Sequence, residues 1–553
     1  MMAASMESHC ISFREVPHTS KLFSSFLEDF DRVASYYAHP PTLAGVEAAA
    51  KEIRLDAGVR RRVAEILRAQ NRRFGAGDQL DDVTARNLDR LAAGAAAIVT
   101  GQQVGLFSGP AYTFYKALSA ARCAEDATSR GTDAVPIFWL ATEDHDLAEI
   151  NHAFWNTRNG LARYDLPSRT EDEGRCVGEV PLGDAVQSVA ATAAQTLDGP
   201  FVETVTRALH ESYAPGETYG SAFGKLMSRL LAGRGIIFID PLDSELQSLC
   251  APMYLRVLKE TGALRDALLA RSKELESSGF HAQVKVTHET TLLFCNVDGR
   301  REPLRGRNGG LVAGESEFSA EQLAAAIEKT PHRFTPNALL RPVVQDALLP
   351  TAAYIGGPAE IAYFAQSEVI YRRILGRMPA VLPRASFTIV EPPIARFLGQ
   401  YDLEIRDIFA GSQHVRACME RKSISGGLSA QFDSGEESLR SLLRSYEEPL
   451  GRLDSTLLEA LHSLEQKMLH QFGQLKGKVG RAENFRSGVL DRHEKILLDS
   501  LYPDGGLQER MLCALPMLAS YGPEFLDDLT RRSSIANPAD GSSCAHKHHV
   551  LYR

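Results

Sequence analysis

At 553 residues, 44% of them hydrophobic and 24% charged, the chain is too long for one core and has the composition of a folded protein of roughly two to four structural units. A formal net charge of −9 excludes a chain built around nucleic acid or an anionic membrane, both of which call for a basic field. No apolar run approaches the roughly 18 residues of a membrane span, the N-terminus lacks a secretory profile, and eight cysteines are scattered singly, so a cytoplasmic protein with free thiols is expected.

In chain order, residues 1–93 read as a helical segment packed on the core, with Phe23, Phe26, Phe30 and Val33 recurring at helical spacing. Ala95 to Thr100 is a short continuous apolar run, the signature of a buried strand. A Gly-rich loop follows from Gly101 to Pro110, then a helix to about Asp126, then a second apolar run from Ala134 to Ala141. Strand, helix, strand in that span is a parallel βαβ unit. The theme returns with a helix over 217–233 and strands at Gly235 to Asp240, Thr351 to Gly357 and Ala380 to Val390, the last two joined by a helix from Pro358 to about Leu375. The pattern predicts an α/β core over 94–395, a doubly wound parallel sheet with ligands at the strands' carboxyl ends. Two stretches break the rhythm and read as insertions: about 155–215, of mixed pattern, and about 281–316, which alternates and turns at Asp298-Gly299 as an antiparallel hairpin. Residues 396–500 read as an all-α antiparallel coiled-coil arm. Leu450, Leu453, Leu457, Leu461, Leu464, Met468, Phe472, Leu475 and Val479 step by three or four, Pro449 bounds or kinks that helix, and 400–422 is the expected partner across a Gly/Ser-rich break at Ser423 to Ser429. Residues 501–531 return to the core and 532–553 form a frayed tail.

Four constellations carry candidate chemistry. The loop (Gly101, Gln102, Gln103, Gly105, Ser108, Gly109) and the helix start at Tyr112 would present free N–H groups and a helix dipole to a phosphate, with Lys116 reaching back. The sequence is neither a Walker A motif nor GxGxxG, and a tight turn that needs small residues is the competing reading. Glu143, Asp144, His145 and Asp146 follow a buried strand, where acids can hold an ammonium or take a proton from an amine, or merely cap a helix. Tyr354, Gly356, Gly357 and Glu360 form a second strand-to-helix turn suited to substrate. Arg384 and Ser386 end the last strand and could meet an anion. Cys544, His546, His548 and His549 have metal-like spacing, but no metal is assigned there or elsewhere.

Five stretches together resemble the bacillithiol-biosynthesis cysteine-adding enzymes: TGQQVGLFSGPAYTFYKALS (100–119), PIFWLATEDHDLAEINH (136–152), FIDPLD (238–243), RPVVQDALLPTAAYIGGPAEIAYFAQ (341–366) and YPDGGLQER (502–510). The resemblance implies a Rossmann-like core with two insertions, a coiled-coil domain, a homodimer, and a ligase that joins the carboxyl of L-cysteine to the amine of glucosaminyl-malate. It places Gly105 to Tyr112 where related synthetases carry their nucleotide signature, though the paired histidines of that signature are replaced by Gly109-Pro110 and Tyr112. Amide formation in water demands an activated carboxylate, so ATP or a related nucleotide is expected. The site would then pair an anion cradle (Gly101 to Pro110, Lys116, Arg384) with acids that accept the amine's proton (Asp144, Asp146, Glu143 or His145). A non-catalytic nucleotide-binding scaffold, and a nucleotidyltransferase or hydrolase of another sugar conjugate, are the alternative readings.

Overall fold

The computed structural model describes residues 8–307, 310–422, 426–484, 488–535 and 546–553. The described residues between Cys10 and Phe387 and between Glu509 and His549 form one compact unit, and those of Thr388–Gln508, with short terminal pieces, form a second.

The first unit is organised by a five-stranded parallel sheet. Its strands are β1 (Ala96–Gln102), β2 (Ala134–Leu140), β3 (Ile237–Ile239), β4 (Thr351–Gly356) and β5 (Ala380–Pro383), in the order β3-β2-β1-β4-β5. That is the Rossmann order. The chain enters at the centre, winds out through β2 and β3, then crosses back to the other side of β1, leaving a switch point between β1 and β4. β2 is buried along its whole length and β1 along all but its last residue, because helices cover both faces of such a sheet; this is why both read as unbroken apolar runs. Register aligns the carboxyl ends: Gly101 lies beside Trp139, Gln102 beside Leu140, and Gly356 beside Pro383. The helices that position the site are α1 (Tyr112–Ser129), which follows β1, and α2 (Pro358–Ile374), which follows β4 with Pro358 at its tolerant first position.

Several elements depart from expectation. The last predicted strand is two, Ala380–Pro383 in the core sheet and Ser386–Val390 outside it, with Arg384 in the bend between them. A 34-residue helix, Ser244–Ser277, runs unpredicted between β3 and the second insertion, with Pro252 in its interior. The second insertion is larger than its hairpin. Thr290–Val297 and Arg300–Arg307 pair antiparallel as expected, but they belong to a five-stranded sheet completed by Gly310–Ala313, Ser316–Phe318 and Phe334–Pro336. The tail ends in a strand, His548–Tyr552, with His548, Val550 and Leu551 fully buried; Cys544 lies outside the described residues. Six cysteines are free as expected, but Cys10 is disulfide-bonded.

In the second unit the long helix Thr456–Asn484 packs against Gly426–Arg444. Phe432 meets Phe472 and Lys476 pairs with Asp433, whereas Arg440, further along, lies 3.7 Å from the earlier Glu465, so the pair is antiparallel. The long helix thus has the expected partner Ser412–Lys422 and a second one, Gly426–Arg444, that the Gly- and Ser-rich composition concealed. Pro449 neither kinks nor bounds the long helix. It sits in the first turn of a separate helix, Glu447–Leu453, where no intrahelical N–H bond is lost.

Candidate active site

A cavity of about 700 Å³ opens at the carboxyl ends of β1, β2, β4 and β5, the size and place in which a doubly wound sheet holds small molecules. It gathers Gly101, Gln102, Gln103, Tyr112 and Lys116 from the first constellation, Glu143, Asp144 and His145 from the second, Tyr354, Gly357 and Glu360 from the third, and Arg384 from the fourth. Gly105, Ser108, Gly109, Asp146 and Gly356 do not line it.

The Gly-rich loop is a buried turn. Val104, Leu106, Phe107 and Ser108 are fully buried, and the Tyr213 hydroxyl, itself buried, donates to the Gly105 carbonyl at 3.2 Å. The Gly109 N–H donates to the Leu106 carbonyl at 2.9 Å, and the Ala111 N–H to that of Leu512 at 2.7 Å. Donors expected to cradle a phosphate, at Gly105, Gly109 and Ala111, are therefore bonded to carbonyls inside the protein, beside a tyrosine that burial keeps as a neutral phenol. The turn depends on glycine. Gly109 has φ 64° and ψ −157°, a region almost closed to L-residues, and a Cβ on Gly105 would stand 2.9 Å from the Gly109 Cα. Gly109→Ala is expected to cost about 1–3 kcal/mol, read from the midpoint of urea unfolding.

Lys116 is equally committed. Its ammonium donates to the Gly101 carbonyl (2.9 Å), to Gln102 Oε1 (2.9 Å) and to Glu360 Oε2 (2.5 Å), which uses all three protons. Glu360 also accepts from the Tyr354 hydroxyl (2.6 Å) and from the Gly357 N–H (2.8 Å). Burial alone would push this carboxyl up, but the Lys116 ammonium and the hydrogen bonds win and hold it below the usual glutamate range. Arg384 makes a bidentate pair with buried Glu509 (2.9 and 2.6 Å), and Ser386 donates to the same carboxylate while meeting His548 Nδ1 at 2.8 Å. These four groups form a frame around the cavity, with Tyr112 under the guanidinium, its hydroxyl pushed up to about 12 chiefly by burial.

The acids part ways. Asp146 is exposed and caps the short helix Leu147–Ile150, accepting from the Glu149 N–H, so it takes the capping role rather than a place in the site. Asp144 accepts from the Gln103 amide (2.6 Å) and from the His145 N–H (2.7 Å). Burial works against its charge, yet the hydrogen bonds from His145 and Gln103 hold it well below the aspartate range, so it stays a carboxylate and a weak base. Arg301 donates to His145 Nδ1 (2.9 Å), which leaves the imidazole proton on Nε2. Glu143 differs from all of these. It is 4% exposed, its Oε1 accepts from Trp139 Nε1 at 3.1 Å, and its Oε2 has no partner among the described residues. Burial pushes its pKa up against the pull of Arg341, Trp139 and Arg301.

Three guanidiniums that sequence patterning does not single out complete the lining. Arg341 lies over the rings of Trp139 and Tyr354 and donates to the hydroxyls of Tyr354 and Tyr363. Arg301 comes from the second insertion, stacked 3.7 Å over Phe294 and anchored to Thr335 and the Pro336 carbonyl. Arg510 closes the ring. Among the described residues none of the three forms an ion pair, so the cavity joins uncommitted positive charge to one unpartnered buried carboxyl. Arg341 and Arg510 stand at the ends of stretches that carry the family resemblance; nothing in the pattern around Arg301 marks it.

Comparison with known families places this geometry. The family model described as "Bacillithiol biosynthesis BshC, N-terminal Rossmann-like domain" matches residues 6–385, and "Bacillithiol biosynthesis BshC, C-terminal coiled-coil domain" matches 387–539. Similar proteins, each named "Putative cysteine ligase BshC", include one from Koribacter versatilis (38% identical, 94% of this chain and 96% of that one). Others come from Solibacter usitatus (37%, 94% and 96%) and Salinibacter ruber (33%, 92% and 93%). With both domain models and near full-length relatives in agreement, the chain belongs to the BshC family of bacillithiol biosynthesis.

Proposed function

We propose that this protein is a carbon–nitrogen ligase that adds L-cysteine to glucosaminyl-malate by amide formation through an activated cysteine carboxylate. Family membership and the name its relatives carry support the ligase class. The observation that carries the reading is Glu143 Oε2, a buried carboxyl oxygen without a partner among the described residues, in a cavity that also presents three guanidiniums outside any ion pair.

The chemistry fixes what such a site must do. A carboxylate does not condense with an amine in water unless one of its oxygens first becomes part of a good leaving group, which a nucleoside triphosphate such as ATP would supply as a mixed anhydride of cysteine, an acyl phosphate with release of the nucleoside diphosphate or an acyl adenylate with release of pyrophosphate. The amine nitrogen of the sugar then attacks the carbonyl carbon, the C–N bond forms, and the C–O bond to phosphate breaks with its electron pair leaving on that oxygen. The nitrogen must lose a proton, and Glu143 is the group placed to take it. Malate carboxylates, the cysteine carboxylate and phosphate are all anions that guanidiniums bind well, and Arg301, Arg341 and Arg510 line the cavity outside any ion pair among the described residues. The Gly105–Gly109 turn has no part in this reading, because it is buried and does not line the cavity.

Two further expectations belong to the proposal. A cytoplasmic setting rests on membership of a biosynthetic ligase family, and the Cys10 disulfide is the feature that weighs against it. A homodimer is supported by exposed Leu442, Leu453, Leu464 and Leu475 on the helical arm. The test is to supply cysteine, glucosaminyl-malate and ATP and follow mass. The amide should appear at the expense of both substrates. Nucleotide binding without any product would return the chain to a scaffold role, and a product lacking cysteine would make it a transferase or hydrolase.

A further inference from the structure

A second cluster of chemically capable side chains lies in the other unit, on two consecutive helices, Ile405–Phe409 and Ser412–Lys422. His414 and Cys418 are four residues apart and so share a helix face, and Asp407 meets them from the preceding helix. His414 Nε2 lies 2.9 Å from Asp407 Oδ1 and 3.6 Å from Cys418 Sγ, and the three donor atoms fall within 4.8 Å of one another. We propose that Asp407, His414 and Cys418 are ligands of a divalent transition-metal ion, zinc by preference, that pins these two helices together.

The spacing supports this on its own terms. Tetrahedral zinc with bonds of about 2.05 Å to nitrogen and 2.3 Å to sulfur separates those two atoms by about 3.5 Å, close to the 3.6 Å observed. The oxygen–nitrogen edge, about 3.3 Å in the same geometry, exceeds the observed 2.9 Å hydrogen bond, so binding requires a shift of a few tenths of an ångström in half-exposed side chains. One sulfur, one imidazole and one carboxylate form a donor set that selects zinc over magnesium or calcium, which take oxygen alone. Asp407 is oriented in advance, because its Oδ2 accepts from the Glu404 N–H at 2.8 Å and leaves Oδ1 toward the histidine. Arg421 Nη2 donates to Cys418 Sγ at 3.0 Å, the kind of outer hydrogen bond that orients a ligating sulfur. On binding, the thiol gives its proton to solvent, His414 exchanges the Asp407 hydrogen bond for the metal, and the exposed side of the cluster leaves a fourth position to water.

The experiment uses the full chain, stripped of metal and titrated with zinc in competition with a chelating dye, and separately with cobalt(II) as an optical probe. One equivalent should bind with a near-ultraviolet thiolate-to-cobalt band, and Cys418→Ser or His414→Gln should weaken binding more than about 100-fold and abolish the band. His414→Gln, at a half-exposed position, keeps the test valid should Cys418→Ser fold poorly, as checked by circular dichroism. Absence of stoichiometric zinc in the unmodified protein overturns the proposal. So does zinc affinity unchanged in both variants, which would assign the metal elsewhere.

Discussion

Glu143→Gln should lower kcat about 100- to 10,000-fold, the ordinary contribution of a positioned general base, while leaving the fold and substrate binding nearly intact. The substitution is close to isosteric, and the amide oxygen can still accept from Trp139 Nε1, so packing around residue 143 is preserved. Lost is only the ability of the second oxygen, which has no partner among the described residues, to take a proton. The pH profile sharpens the expectation. Burial raises the Glu143 pKa above the ordinary 4.5, and only the ionised form accepts a proton, so the rate should fall with decreasing pH at a value above 4.5. The glutamine variant should lose that limb. Asp146→Asn is the matched control: asparagine caps a helix as well as aspartate, and turnover should stay within about twofold. Equal losses in the two variants would return the acidic role to the whole cluster.

Glu509→Ala should destabilise the protein by about 3–5 kcal/mol at pH 7, because it leaves the Arg384 guanidinium buried without its counter-charge. Arg384 is 7% exposed and Glu509 1%, so water cannot replace the lost partner. The linkage sign follows from the shift. Burial alone would raise the Glu509 carboxyl, but Arg384 and the hydrogen bonds hold it below 4.5. A depressed carboxyl contributes stability that is complete above its unfolded value and lost as pH falls through its folded value. Urea unfolding of both proteins should show the gap at neutral pH and its closure only below 4.5. A gap that stays constant down to the acid-unfolding region would mean that the pair is not what Glu509 contributes.

The legible parts of this fold were those whose burial is expressed along the sequence. β1 and β2 are covered on both faces, so their apolar runs are unbroken and their boundaries came within a residue or two. Short edge pieces gave no such signal: Phe334–Pro336 is three residues long and becomes a strand only by pairing with Thr290–Val297, which is why the second insertion seemed smaller than it is. The helix Ser244–Ser277 was hidden by its own proline. At the site, sequence named about half of the residues that line the cavity but misjudged which groups are at liberty. A Gly-rich turn between strand and helix looks alike whether its amides face a phosphate or carbonyls inside the protein. The difference lay in Val104, Leu106 and Phe107, apolar side chains that a solvent-open cradle would not carry. Lys116 and Arg384 face the cavity yet are held by Glu360 and Glu509, partners 244 and 125 residues away in the chain, which no local pattern reveals. Arg301 enters from an insertion for the same reason.

The most direct measurement is a crystal structure of the protein with glucosaminyl-malate bound. The amine nitrogen should lie within hydrogen-bond reach of the Glu143 carboxyl, about 2.6–3.2 Å, with the malate carboxylates on guanidiniums drawn from Arg301, Arg341 and Arg510. A sugar held outside this cavity, or inside it with the amine turned away from Glu143, would contradict the account.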